Sequence, residues 1–336
     1  MNILVTGGAG FIGANFINYW LEKYPTDTIT NVDIMTYAAN PRTTELHKKR
    51  FGKLYTLVQA DITNDEVIRP LVKSSDLVVH FAAESHVDRS IVNPRIFLET
   101  NIIGTHTLLE ACRLYKKRFH HISTDEVFGT LELGTTEKFS ETTPHSPRSP
   151  YSASKSASDE LVIAYYHTYG TEVTITNCSN NYGPFQFPEK VIPLYITRLL
   201  QDKPVPIYGE GKAIRDYLHV EDHCRAIDLV IEKGRIGETY CVGGNSEKNT
   251  LTVASTITDL LDKPLSLIRH TKDRPGHDPR YAVDFSKINK ELGWKPLYTF
   301  EEGMMQTINW YKNNLEWWVP VAQEAEAIAE KYLENT

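Results

Sequence analysis

The chain has 336 residues, of which 41% are hydrophobic and 24% charged, with a formal net charge of −7. This balance is typical of a globular protein of one large or two ordinary domains, and it argues against nucleic acid as a partner, which would need a basic surface. Four widely spaced cysteines form no C-x-x-C pair, and no apolar run has the length of a membrane span. With no signal-peptide pattern at the start, we expect a cytoplasmic enzyme without a metal or a membrane anchor.

The first elements predict a dinucleotide site. Residues 2–6 form a short apolar run typical of a buried parallel strand, and residues 14–23 have helical spacing. Between them the glycine motif of residues 7–13 has the G-x-G-x-x-G spacing that brings a backbone turn against a pyrophosphate at a helix N-terminus. A second strand, residues 28–32, ends in Asp33, whose carboxylate would hold ribose hydroxyls and repel a 2′-phosphate. The pattern therefore predicts NAD rather than NADP.

Strands and helices continue to alternate along the first half of the chain. Further strands are predicted at residues 55–60, 77–81, 119–123 and 171–176, and helices at residues 94–116, 151–169 and 221–233. This order predicts an α/β fold with a Rossmann-type doubly wound parallel sheet and a smaller, interleaved C-terminal substrate-binding lobe. The predicted Rossmann domain is residues 1–178 with returning segments at about 216–243 and 281–312. The predicted lobe is residues 179–215 and 244–280 with the C-terminal tail.

Two segments carry the candidate chemistry. The strand at residues 119–123 runs into Thr124, Asp125 and Glu126, and parallel strands deliver their carboxyl ends to the ligand crevice. Tyr151 and Lys155 are spaced i, i+4 on a predicted helix, so they project from one face. An ammonium close to a phenol favours its ionised form, so Tyr151 is a candidate base for a substrate hydroxyl while hydride leaves for NAD⁺. Thr124 is placed to hydrogen-bond the same oxygen.

Six segments together resemble the nucleotide-sugar dehydratases of the extended short-chain dehydrogenase/reductase family. They are residues 6–13 (TGGAGFIG), 81–90 (FAAESHVDRS), 123–129 (STDEVFG), 151–155 (YSASK), 179–190 (SNNYGPFQFPEK) and 273–282 (DRPGHDPRYA). The resemblance spans roughly residues 1–312 and implies an internal oxidation and reduction of a sugar nucleotide, with dTDP-glucose the expected substrate. Tyr151 would deprotonate the 4-hydroxyl as NAD⁺ oxidises C4, Glu126 would remove the C5 proton, and protonated Asp125 would release the C6 hydroxyl as water before hydride returns to C6.

The resemblance also implies which residues bind the two ligands. For NAD they are Gly7, Gly10, Phe11, Ile12, Gly13, Asp33, Asp61, Ile62, Ala82, Ala83, Ser85, Thr100, Tyr151 and Lys155. For the sugar nucleotide they are Glu84, Thr124, Asn180, Lys190, Val191, Pro206, Tyr208, Arg215, Thr250, Arg274 and His277. It further implies a homodimer, paired through the helices near 94–116 and 151–169 as a four-helix bundle, and a place in deoxysugar biosynthesis.

Three alternatives stay open at this point. Ala39 and Thr250 stand where the family usually has other residues, which leaves open the same dehydration on UDP-glucose or UDP-N-acetylglucosamine. An epimerase or decarboxylase is disfavoured because those relatives lack the full tandem of Asp125 and Glu126. A catalytically silent nucleotide-binding protein is disfavoured because it has no need to keep both acids together with the Thr124, Tyr151 and Lys155 set.

Overall fold

The structure is a computed structural model that describes residues 1–272 and 278–323. Its strands are β1 Asn2–Thr6, β2 Thr28–Asp33, β3 Tyr55–Gln59, β4 Leu77–His80, β5 Arg118–Thr124, β6 Val173–Cys178, β7 Asn180–Tyr182, β8 Val205–Tyr208, β9 Ile214–His219, β10 Thr239–Val242, β11 Glu247–Asn249 and β12 Ile268–Thr271. Its α-helices are α1 Phe11–Lys23, α2 Pro41–Phe51, α3 Asp65–Ser74, α4 Val87–Val92, α5 Pro94–Phe97, α6 Thr105–Tyr115, α7 Pro150–Tyr169, α8 Val191–Leu200, α9 Val220–Lys233, α10 Thr250–Leu260, α11 Ser286–Leu292 and α12 Phe300–Asn313. A π-helix covers Leu98–Gly104, and a short 3-10 helix, Asp125–Phe128, follows β5.

Seven strands form the central sheet, in the order β10-β6-β5-β4-β1-β2-β3. Every neighbouring pair is parallel, because helical crossovers return the chain to the same edge after each strand. The sheet grows outward in both directions from β1 and β4, which confirms the predicted Rossmann-type doubly wound fold. The sequence predicts six of the strands. The seventh, β10, lies inside the predicted returning segment 216–243 and pairs with β6 at the sheet edge.

The helix predicted at residues 94–116 is three consecutive pieces rather than one regular α-helix. Between α5 and α6 the π-helix Leu98–Gly104 widens the backbone. It carries Asn101 inward, where the side chain accepts a hydrogen bond from Glu84 N (2.9 Å) and donates to Glu84 O (3.0 Å) and Ser154 Oγ (2.8 Å). A π-helix adds a residue to the turn, and hydrophobic spacing alone does not reveal it.

The second lobe is built around its own hydrophobic cluster. Two small sheets, β11-β9-β7 and β12-β8, lie with α8, α10 and α12 around it. Residues 281–312 were predicted to return to the Rossmann domain, but the structure differs for the second half of that segment. Helix α12 places Phe300, Met304, Ile308 and Tyr311 in the lobe cluster, because these apolar residues recur along one face of the helix. Helix α11 does lie with the Rossmann domain, since Ile288 packs beside β10.

We propose a domain division close to the predicted one, with α12 assigned to the lobe. Residues 315–323 are also helical and place Trp317 and Trp318 in the lobe cluster. The end of the C-terminal tail, from position 324 onward, lies outside the described residues. Within the described residues, no helix has both the length and the apolar character needed to cross a membrane.

Candidate active site

A pocket of about 640 Å³ lies at the carboxyl ends of the central strands, where a doubly wound sheet binds its ligands. All of the residues predicted to bind the cofactor line it: Gly7, Gly10, Phe11, Ile12, Gly13, Asp33, Asp61, Ile62, Ala82, Ala83, Ser85, Thr100, Tyr151 and Lys155. The predicted residues Glu84, Thr124, Asp125, Glu126, Asn180 and Lys190 line the same pocket. The tertiary structure therefore brings both candidate segments to one cavity.

The glycine loop lies too close to its neighbours for any side chain. Gly7 has a φ of +72°, and a Cβ there would stand 2.6 Å from the backbone of Ala82. A Cβ on Gly13 would stand 2.5 Å from Gly7 O, so the first turn of α1 could not approach the loop. No side chain caps α1 at Gly10. The amides at this helix start are therefore left for an anionic group, which fits a pyrophosphate.

Asp33 fits the ribose of the same cofactor. Its carboxylate accepts hydrogen bonds from Ala9 N (2.9 Å) and Met35 N (2.8 Å), which hold it at the end of β2. Burial raises the pKa of Asp33, while these two amides act in the opposite direction. A carboxylate held here suits two ribose hydroxyls and opposes a 2′-phosphate. The residues present therefore fit NAD.

The acid pair begins where β5 ends. Thr124 Oγ1 accepts a hydrogen bond from Glu126 N and donates to Asp125 Oδ1, both at 3.3 Å, which shapes the turn. Asp125 is only 1% exposed, and burial together with the negative charges of Glu126 and Asp216 raises its pKa well above the usual carboxyl range. Its Oδ2 has no hydrogen-bond partner within the described part of the chain. Burial thus favours the protonated form of Asp125.

Helix α7 carries Tyr151 in its first turn and places it in the lining of the same pocket. A capping box between Ser149 and Ser152, with Pro150 at the first helical position, sets the start of the helix immediately before Tyr151. Burial and the charge of Glu126 raise the pKa of Tyr151 well above its ordinary value, while a hydrogen bond to Thr124 acts in the opposite direction.

The pKa of Tyr151 is raised overall although Lys155 lies one helical turn away, which corrects the expectation from the i, i+4 spacing. The Lys155 Nζ donates to Ile122 O (2.9 Å) and lies 3.2 Å from His121 Nε2, beneath the pocket. Burial lowers the pKa of Lys155 to about 8, while the negative charge of Asp159 acts to raise it. A phenol that is to act as a base in this pocket therefore needs further positive charge beside it.

Several of the predicted substrate residues do not line this pocket. Val191 begins α8, Pro206 and Tyr208 lie on β8, and Thr250 begins α10. Arg215 lies on β9, with its guanidinium 4.1 Å from the centre of the Tyr281 ring, and its charge acts on Asp125. The remaining two, Arg274 and His277, lie outside the described residues.

Some lining residues were not predicted from the sequence. Cys178 ends β6 as Thr124 ends β5, so the same strand-end rule would have found it. Phe187 and Glu189 lie inside the segment 179–190 that carries the family resemblance, and both line the pocket. Between residues 1–272 and 278–323, no group of three or more His, Cys, Asp or Glu residues is placed to hold a metal ion.

The fold and the pocket together define the class of the protein. A dinucleotide along the carboxyl edge of this sheet would run from Asp33 past the glycine loop to Tyr151, which is the arrangement of short-chain dehydrogenase/reductase enzymes.

Comparisons with known proteins narrow the class. The family model described as GDP-mannose 4,6 dehydratase matches residues 4–307. A dTDP-glucose 4,6-dehydratase of Xanthomonas campestris pv. campestris is 52% identical, with 94% of each chain covered. The solved dTDP-glucose 4,6-dehydratase of Bacillus anthracis, in complex with NAD, is 46% identical with a TM-score of 0.89, covering 96% of this chain and 99% of that one. DesIV of Streptomyces venezuelae, a dTDP-glucose 4,6-dehydratase with NAD and TYD bound, is 43% identical with a TM-score of 0.91, covering 96% and 100%. The chain belongs to the dTDP-glucose 4,6-dehydratase family.

Proposed function

We propose that this protein is an NAD-dependent hydro-lyase that converts dTDP-glucose into dTDP-4-keto-6-deoxyglucose and water. The observation that carries the proposal is the pair of carboxyls at the end of β5, with Asp125 buried and its pKa raised, in one pocket with Tyr151. Elimination of water needs an acid and a base together, and two carboxyls in different surroundings can supply both. The relatives named for this reaction support it.

The first step is removal of the 4-hydroxyl proton by Tyr151. NAD, when bound, supplies a positively charged ring that accepts hydride from C4 of the sugar and later returns it to C6. Thr124 hydrogen-bonds the Tyr151 hydroxyl and so orients it towards the substrate oxygen. Because burial and Glu126 raise the pKa of Tyr151, the phenol becomes acidic only beside positive charge. Lys155 contributes one such charge from below, where Ile122 O and His121 hold its ammonium.

The second step is elimination across C5 and C6. A ketone at C4 makes the C5 proton acidic, and Glu126 removes it. Asp125 donates its proton to the departing 6-hydroxyl, which leaves as water. When hydride is returned to C6, C5 takes up a proton, which the protonated Glu126 can supply. The assignment follows from burial, because the raised pKa of Asp125 favours its protonated form, as a proton donor requires. Interacting carboxyls titrate as a pair, so these roles describe the favoured arrangement of one proton over two residues.

The substrate would meet polar groups that the protein leaves without partners. Asn180 and Gln186 both line the pocket, and the buried oxygens Asn180 Oδ1 and Gln186 Oε1 have no hydrogen-bond partner in the described ranges, so these two amides suit sugar hydroxyls. Arg215 and Lys190 supply positive charge for the diphosphate, for which guanidinium is well shaped. The other proposed contacts, on the nucleotide side, are Val191, Pro206, Tyr208, Thr250, Arg274 and His277.

We infer that the protein works as a cytoplasmic homodimer. Large apolar side chains are exposed on the helices that were predicted to pair, namely Leu98, Leu114 and Tyr169. A second copy would cover them as a four-helix bundle, since exposed apolar patches of this kind mark interfaces. All four cysteines are buried thiols, which fits a reducing compartment.

The test is incubation of the purified protein with dTDP-glucose, UDP-glucose and UDP-N-acetylglucosamine in parallel, followed by mass spectrometry. Loss of water mainly from dTDP-glucose is the expected result. Loss mainly from a UDP sugar would keep the mechanism and change the substrate. A product of unchanged mass would identify an epimerase, release of CO₂ would identify a decarboxylase, and no reaction with any sugar would contradict the proposal.

A further inference from the structure

Two segments from distant parts of the chain line the cofactor pocket, and we name them the first and second rim. The first rim is residues 36–39, directly after β2, of which Thr36, Ala38 and Ala39 line the pocket. The second rim is residues 186–190, after β7, of which four line the pocket: Gln186, Phe187, Glu189 and Lys190. A cofactor bound there is enclosed between segments that come from different lobes.

The C-terminal part of the lobe is bonded to the start of α2, immediately after the first rim. Asn40 follows this rim directly and caps α2 by accepting a hydrogen bond from Arg42 N (3.0 Å). The Asn40 Nδ2 donates to Trp317 O (2.8 Å), and Trp317 Nε1 donates to Thr43 Oγ1 (2.9 Å). Asn40, Thr43 and Trp317 are each at most 3% exposed. These buried bonds span more than two hundred residues of sequence, so they form only when the two lobes are assembled.

Trp317 and two neighbouring aromatic residues of α12, Trp310 and Tyr311, support the second rim. The Phe185 ring packs against Trp310 (4.8 Å between centroids) and Trp317 (5.9 Å). The Tyr311 hydroxyl donates to Gln186 O. Phe185 has a φ of +64°, a conformation that a bulky residue keeps only when its surroundings hold it. The conformation of the second rim therefore depends on the packing of α12 and the following residues.

The two rims also contact each other. The Tyr37 hydroxyl, in the first rim, donates to Glu189 Oε1 in the second (3.0 Å). Arg89 lies over the Tyr37 ring at 3.5 Å, and Tyr37 packs edge-on against Phe187. Separation of the rims would break this contact. Trp317 contacts the residues next to both rims, since it bonds to Asn40 beside the first rim and packs against Phe185 beside the second.

We propose that Trp317, Asn40 and Thr43 form a clasp that holds the rims together and slows release of NAD. Trp317 is a positioning residue in this scheme, since it acts through the rims rather than on the cofactor. The inference rests on the proposed function only in that the same NAD is used twice in each turnover. A cofactor lost between the two uses would leave an oxidised sugar that cannot be reduced at C6, so slow release serves this reaction in particular.

The test compares two neighbouring threonines of α2. Thr43→Val removes the oxygen that accepts from Trp317. Thr44→Val makes the same exchange one position along, where the hydroxyl bonds only to Pro41 O in its own first turn among the described contacts. Asn40→Ser removes the other hydrogen bond to Trp317, because serine still caps the helix but has no amide to donate to Trp317 O.

Each protein is loaded with isotopically labelled NAD and diluted into excess unlabelled NAD, without sugar nucleotide. Loss of label with time gives the release rate. We expect Thr43→Val and Asn40→Ser each to release NAD roughly threefold to tenfold faster than the parent, as for the loss of one buried hydrogen bond. Thr44→Val should stay within about twofold, with an unfolding temperature similar to that of Thr43→Val.

Two results would overturn the clasp. Release at the parent rate from both clasp variants would do so, and so would equal acceleration in Thr44→Val, which would point to the stability of α2 alone. A parent protein that failed to bind NAD would overturn both the clasp and the proposed function, so the two failures are distinguishable.

Turnover gives a second readout. During reaction with dTDP-glucose, the clasp variants should lose activity progressively, and added NAD should restore it. Added NAD should not change the Thr44→Val variant. A clasp variant whose activity falls without rescue by NAD would contradict a role in cofactor retention.

Discussion

Asp125 and Glu126 are adjacent in sequence but lie in different surroundings. Asp125 is buried against Asp216, whereas Glu126 is half-buried at the pocket. The difference arises because the 3-10 turn after β5 directs successive residues to different sides. Burial raises the pKa of Asp125 and so favours its protonated form. The same functional group, a carboxyl, thus supplies both an acid and a base.

Asp125→Asn tests this division of roles. Asparagine cannot give a proton to the leaving hydroxyl, so we expect loss of water to slow by about a hundredfold or more, as for removal of a general acid. Oxidation at C4 should still occur, because Tyr151 is intact. Ultraviolet absorbance of the reduced cofactor should therefore accumulate after substrate is added. Tyr151→Phe is the contrasting variant and should show no such signal. Its absence in Asp125→Asn as well would contradict the assignment.

Lys155 depends on a buried carboxylate one helical turn further along α7. Asp159 Oδ2 accepts hydrogen bonds from Ser123 Oγ (2.8 Å) and Asn177 Nδ2 (3.1 Å), which hold it beneath the sheet end. Its Oδ1 lies 3.3 Å from His121 Nε2, which in turn is close to Lys155 Nζ. The negative charge of Asp159 opposes the lowering of the Lys155 pKa by burial.

Asp159→Asn should therefore change the pH dependence of the reaction. Without the negative charge, the pKa of Lys155 falls below about 8, and the lysine loses its proton at lower pH. Activity that needs the ammonium is present below this pKa and lost above it, so the alkaline limb of kcat/KM should move to lower pH. The control is Glu160→Gln, which removes the adjacent but largely exposed carboxylate. An alkaline limb at the same pH in Asp159→Asn and the parent would disprove this link.

Among the elements, the π-helix Leu98–Gly104 connects two parts of the active site. Its Asn101 bonds to both backbone groups of Glu84, which lines the pocket, and to Ser154 on α7. A regular α-helix has one residue fewer in this turn and would rotate the following residues about the axis. The irregular turn therefore joins the segment after β4 to the helix that carries Tyr151.

Asn101→Leu tests the importance of this turn. Leucine has a similar size but leaves the Glu84 amide and carbonyl without partners in a buried position. We expect the free energy of unfolding to fall by about 2–4 kcal/mol, as for two buried groups left unsatisfied. Thr107→Val, on α6, removes a hydroxyl that among the described contacts bonds only to Ile103 O, one turn earlier on the π-helix. It leaves Asn101 and its bonds to Glu84 in place and should cost about 1 kcal/mol or less. Urea unfolding measures both, and equal losses would rule out a special role for Asn101.

At the scale of the whole molecule, the pocket is completed by residues from both lobes. The Rossmann domain contributes the cofactor edge, and the lobe contributes Gln186, Phe187, Glu189 and Lys190. Substrate binding therefore depends on how the lobes are assembled. The apolar face proposed for pairing lies on helices of the Rossmann domain, which include the π-helix beside the pocket.

The proposed dimer predicts a difference between exposed leucines. Leu98→Glu or Leu114→Glu places a charge in the proposed bundle, so sedimentation should show a monomer in place of a dimer. Leu265→Glu makes the same exchange in the lobe, at a position that is 64% exposed, and should leave the dimer intact. A parent protein that sediments as a monomer, or dimers that survive both bundle variants, would exclude this interface.

How much the sequence determines can be seen by comparing particular features. The glycine motif, Asp33 and the acid pair could be placed from the sequence, because each depends on a few neighbouring residues and on the rule that parallel strands end at one edge. Helix and strand spacing repeats over short distances, so the doubly wound order could also be predicted. The local motifs and the strand order together predict which residues line the cofactor pocket at the carboxyl ends of the strands.

Other features were decided only by the tertiary structure. The pairing of β10, the packing of α12 in the lobe and the bonds from Trp317 to Asn40 and Thr43 all join residues far apart in the chain. The state of Tyr151 belongs with them, because desolvation depends on everything that packs around the phenol. Local spacing determines which residues can reach an edge of the sheet. Burial and long-range contacts determine the charge they carry there, because free energies of desolvation and packing depend on neighbours that the local sequence does not specify.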